Sequence, residues 1–61
     1  MCEFNVILDG KTQFKDVIYV KVDGDNVTVR NILGGSKEFK GCKIMEIDVN
    51  YTRLVLASVK S

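Results

Sequence analysis

Val17-Ile18-Tyr19-Val20-Lys21-Val22 leads into Asp23-Gly24-Asp25-Asn26 and then into Val27-Thr28-Val29-Arg30. The first run is β-branched and aromatic, apolar on both faces, as expected of a strand covered on both sides. The middle four residues tolerate positive φ and close tight turns. The second run carries Val27, Val29 and then Leu33 on one face, with Thr28 and Arg30 on the other, so the stretch reads as a β-hairpin.

Strand signals continue on both sides of this hairpin. Towards the amino terminus Cys2, Phe4, Val6 and Leu8 alternate with Glu3, Asn5 and Ile7, the period of a half-buried strand. Asp9-Gly10 supplies a turn, and Lys11 to Phe14 reads as a short return strand. Beyond the hairpin, Gly34-Gly35-Ser36 interrupts the pattern, and Lys37 to Gly41 has room for only a brief strand or turn. Lys43 to Val49 resumes with Met45, Ile47 and Val49 on one face. Asn50-Tyr51 reads as a turn, and Thr52 to Val59 as a last strand with Leu54 and Leu56 opposite Val55, Ala57 and Val59. No window of ten residues has helical spacing. The expectation is an all-β domain over residues 1–61, a small antiparallel barrel or sandwich of five to seven short strands.

Composition narrows the function. Sixty-one residues provide one small core, which buries only about 60% of the unfolded surface, so a metal or a partner subunit would add useful stability. Nine Lys and Arg against eight Asp and Glu give a net charge of +1, without the field that draws a protein to nucleic acid. The absence of His removes imidazole catalysis and imidazole metal sites. No run of 18 apolar residues occurs, and Met-Cys-Glu-Phe lacks the basic and apolar regions of a secretion signal. The expected setting is therefore cytoplasmic, with reduced thiols and no membrane span.

Few residues then remain to carry chemistry. Cys2 sits where its thiolate, the amide nitrogen and the terminal amine of Met1 could close two fused five-membered chelate rings. Planar mixed N and S donation suits Ni(II) or Cu(II) better than tetrahedral zinc. On composition alone, Cys2 reads more simply as a small hydrophobe continuing the face of Phe4, Val6 and Leu8. Cys42, after Gly41, reads as a buried free thiol. Asp23 and Asp25 lack the ligand count of a calcium loop, and Gly34-Gly35-Ser36-Lys37 lacks the strand and helix of a phosphate loop. Tyr19, Phe39 and Tyr51 could offer stacking surfaces for RNA beside Lys21, Arg30, Lys37, Lys40 and Arg53. Tyr19 and Phe39 read better as core or interface residues.

Several of these segments occur together elsewhere. Met1-Cys2-Glu3-Phe4-Asn5-Val6-Ile7-Leu8, Val20-Lys21-Val22-Asp23-Gly24-Asp25-Asn26-Val27, Ile32-Leu33-Gly34 and Gly41-Cys42-Lys43-Ile44-Met45-Glu46-Ile47-Asp48 stand in an order that resembles the CooT family. The resemblance covers nearly the whole chain. It implies a small β-rich, non-catalytic nickel-binding protein that delivers or stores Ni(II) for maturation of a nickel enzyme such as carbon monoxide dehydrogenase. It also implies a homodimer, with Cys2 as the metal ligand and its own client enzyme or maturation factors as partners. With the resemblance added, the ligand reading of Cys2 overtakes the apolar one. Related sequences carry an RNA-binding label, which is one alternative. Another is a metallocentre-assembly chaperone like HypC, although the proline of that family's opening motif has no counterpart in this proline-free chain. A homodimer is expected on other grounds too, since Ile7, Ile18, Val20, Val55 and Val59 face away from the expected interior.

Overall fold

The computed structural model describes residues 3–59, and among these there are six strands and no helix. They are β1 (Phe4–Leu8), β2 (Lys11–Asp23), β3 (Asn26–Asn31), β4 (Ser36–Lys40), β5 (Cys42–Asp48) and β6 (Arg53–Ser58). The all-β expectation holds. The strands form one sheet in the order β4-β3-β2-β1-β6-β5, curled but not closed. All neighbours are antiparallel except β1 and β6, which run parallel with Val6 beside Leu54 and Leu8 beside Leu56.

The tight turns follow their sequence. Asp9 and Gly10 both take positive φ, 55° and 75°, the mirror-image two-residue turn that matches strand twist. Gly24 at 62° opens the Gly24-Asp25 turn, where a side chain would be strained. The expected break between Phe14 and Val17 is absent, so the short return strand and the apolar run form one strand of 13 residues. Asp16 takes φ 60° and the register slips at Ile18, so β2 bends and exchanges its partner β1 for β3. A short Asp side chain tolerates that geometry, and the strand deforms rather than ends.

The core is Val6, Val17, Val27, Val29, Phe39, Cys42, Leu54 and Leu56, with Phe4, Leu8, Phe14 and Ile44 packed against it. Val6, Leu54, Leu56, Val27, Val29 and the free thiol Cys42 fall where alternation placed them. Two expectations are overturned. Leu33 does not continue the face of Val27 and Val29: the chain leaves β3 after Asn31, and Leu33 is 86% exposed in the loop beyond. Nor do Met45, Ile47 and Val49 share one face of β5: the register skips Met45, Ile47 stands beside Leu54, and Val49 lies past the end of the strand. The reason is a bulge. Ile44 pairs with Leu56 but Glu46 pairs with Val55, so Met45 is an extra residue that inverts the alternation of β5.

The curl is fixed where the outermost strands meet. β4 and β5 stand at opposite ends of the sheet order, yet only Gly41, at φ 65°, separates them in the chain. Beside it the Cys42 amide donates to the Asp25 carbonyl and the Val59 amide to the Gly41 carbonyl, each at 2.8 Å. The molecule's thinnest extent is 16 Å, which leaves room for one layer of side chains inside the curl.

Candidate functional site

Met1 and Cys2, the expected ligands, lie outside the described residues. What is described is where they attach. β1 is a central strand, held on one side by β2 and on the other by β6, and the Asn5 amide donates to the Thr52 carbonyl at 2.8 Å. Phe4, two residues after Cys2, lines a groove of about 340 Å³. Val17, Ile18, Val20 and Val22 of β2 make one wall, Ile44 and Ile47 of β5 the other, and Phe4 and Leu54 lie between them. The groove exists because β1 stops pairing with β2 at Val17, leaving the end of β2 unpartnered on that side.

Ile18 and Val20 are exposed, as the sequence indicated, whereas Ile7, Val55 and Val59 are half-buried. Val22, Ile44 and Ile47 complete the groove, although the sequence marked them only as strand residues. For Val22 the signal was the apolar character of both faces of β2, which marks a second surface to be covered.

The other candidate groups are placed as follows. Cys42 is 5% exposed, and its thiol donates to the Lys40 carbonyl at 3.6 Å, so it packs as a core residue. Among the described residues no group of three or more His, Cys, Asp or Glu side chains could hold a metal. Phe39 is in the core, with the Lys37 ammonium 5.5 Å from its ring. Tyr19, read as core or interface, is exposed, with the Arg30 guanidinium 4.9 Å from its ring. Tyr51 is also exposed, 5.6 Å from Arg53, which reaches Asp48 at 3.4 Å. Both contacts are solvent-exposed cation–π pairs, each contributing about 0.5–1 kcal/mol.

The sequence from residue 1 to residue 57 matches the family described as CO dehydrogenase accessory protein CooT. The chain belongs to the CooT family. The matched span contains the Met-Cys start, β1 to β5 and nearly all of β6, so the membership rests on the whole fold. An uncharacterized protein of Methanocaldococcus jannaschii is similar, 34% identical over 56 residues that cover 92% of this chain and 96% of the relative. Membership in the CooT family gives the chain an accessory role for CO dehydrogenase. No helix among the described residues is long and apolar enough to cross a membrane.

Proposed function

We propose that this CooT-family protein binds Ni(II) through Cys2 and delivers or stores it, in the cytoplasm and without catalysis of its own, for maturation of CO dehydrogenase. The observation that carries the reading is that the family match begins at Met1 and includes Cys2. The donor chemistry fits the metal. A thiolate, a deprotonated amide and an amine, or amine and thiolate alone once Met1 is removed, give the planar N,S set that Ni(II) accepts and zinc does not favour. Such a set leaves coordination positions open, which suits a cargo that must be handed on.

The protein acts as a symmetric homodimer that covers the apolar groove. Val22 and Ile47 on its walls are 54% and 55% exposed, which a chain of this size gains by burying. Two peptide links separate Cys2 from Phe4, at most about 7 Å of chain. Two copies meeting through the groove therefore bring two Cys2 thiolates within reach of one ion, and the expected stoichiometry is one nickel per dimer.

Calorimetric titration with Ni(II), Zn(II) and Cu(II) tests the reading. The native chain binds nickel with release of protons, because the thiol, ordinarily near pKa 8.5, and the terminal ammonium, near 8, must each give up a proton to become a ligand. Affinity rises with pH through that range. Cys2→Ser abolishes the thiolate-to-nickel charge-transfer band, and unchanged nickel affinity in that variant would end the hypothesis.

A further inference from the structure

Leu33 is the most exposed large apolar residue described, at 86%, and its neighbour Ile32 is 48% exposed. Neither is loose. The four residues between β3 and β4 are pinned by five hydrogen bonds. The Asn31 side-chain oxygen accepts from the Leu33 amide at 3.0 Å and from the Gly35 amide at 2.9 Å. The Asn31 amide donates to the Gly35 carbonyl at 2.8 Å, and the Gly34 amide to the Asn31 carbonyl at 3.1 Å. The Ile32 amide donates to the Asp16 carbonyl at 3.0 Å, which ties the loop to the bend of β2. Gly34 takes φ 88°, which favours glycine, and a Cβ on Gly35 would crowd the Asn31 side-chain amide at 3.3 Å.

Loop tips fixed in this way ordinarily carry Asn, Asp, Gly or Ser, whose presence in water costs nothing. Here the same hydrogen bonds hold an isoleucine and a leucine out in solvent and prevent either from folding back onto the core. Alternation along β3 placed Leu33 inside, and a local pattern broken without any gain to the core marks a residue kept for another purpose. An apolar side chain on a rigid backbone loses little entropy when a partner covers it, the property of an interface anchor. The charges within two residues of the loop or of its tether Asp16 are Lys15, Asp16, Arg30 and Lys37, three positive to one negative.

We infer that the Ile32–Leu33 tip is a docking knob that inserts into an apolar, acid-rimmed pocket on CO dehydrogenase. The inference rests on the accessory role and adds to it the surface that meets the enzyme. It is independent of the nickel ligands, so the two fail separately: nickel delivery falls with the Cys2→Ser titration, the knob with the variants below.

Purified nickel-free CO dehydrogenase is titrated with the native protein and with Leu33→Ser, Leu33→Met and Val49→Ser. Val49 is 62% exposed on the turn between β5 and β6 and serves as an apolar control. Leu33→Ser is expected to bind the enzyme at least about tenfold more weakly, with its thermal midpoint, mass and nickel affinity unchanged. Leu33→Met retains most of the affinity, Val49→Ser retains all of it, and native binding weakens as salt is raised. Equal binding by Leu33→Ser and native chain overturns the proposal, as does a native chain that does not bind the enzyme. Dissociation of a native dimer by Leu33→Ser would assign the knob to a second copy, and Leu33-dependent binding to anionic vesicles would assign it to a lipid surface. Either overturns the enzyme as occupant.

Discussion

At the scale of single residues the two cysteines make opposite expectations. Cys42→Ser places a hydroxyl in the core, which costs about 1–3 kcal/mol, while leaving nickel binding intact. On the proposed ligand role, Cys2→Ser should remove nickel binding. Melting curves and nickel titrations run on both variants separate the two roles, and a Cys42→Ser protein that folds but no longer binds nickel would reverse the assignment. Leu54, 2% exposed in β6 and part of the core, measures how little stability is in reserve. Native stability of about 0.05–0.15 kcal/mol per residue gives 61 residues roughly 3–9 kcal/mol, and Leu54→Ala removes about 2–5 of it. Urea titration of Leu54→Ala should therefore show a protein close to unfolding without denaturant.

At the scale of elements, the turn between β5 and β6 is strained where its neighbours are not. Thr52, a β-branched residue, takes φ 52° in a position that glycine fills more easily, while its hydroxyl donates to the Tyr51 carbonyl and the Asp48 carboxylate accepts from the Tyr51 amide. Thr52→Gly should stabilise the domain by about 1 kcal/mol, a rise of roughly 4–8 °C in the thermal midpoint. In the loop after β3 the sign is reversed. Asn31→Ala removes the acceptor of two amides and should cost about 1–2 kcal/mol, with faster hydrogen exchange at Leu33 and Gly35. These elements also mark how far the sequence could be read. The Asp9-Gly10 and Gly24-Asp25 turns and the inner faces of β1, β3 and β6 were legible, because turn chemistry and alternation are local signals. The bulge at Met45, the bend at Asp16 and the parallel pairing of β1 with β6 were not, because each depends on a partner strand distant in sequence. The candidate site was legible only as a residue type, Cys2, and the groove beside its attachment follows from where β1 stops pairing.

For the whole molecule, the groove predicts association. Val22→Lys places a charge on a wall residue that the single chain leaves 54% exposed, so the fold should survive while light scattering at tens of micromolar falls from dimer to monomer mass. A dimer mass in that variant would move the interface elsewhere. The order of the strands has a separate consequence, for the sequence of assembly. From β1 to β4 each strand pairs with the next in the chain, and so do β5 and β6; the parallel pair β1–β6 joins these two groups. The first four strands can assemble as a meander before the last hairpin docks. Its β1, a central strand in the finished sheet, is until then an open edge. The hairpin of β5 and β6 then closes that edge as a unit, swinging on Gly41. A chain cut at Gly41 should accordingly yield two pieces that find each other when mixed, the second supplying in trans the strand that the nascent meander waits for.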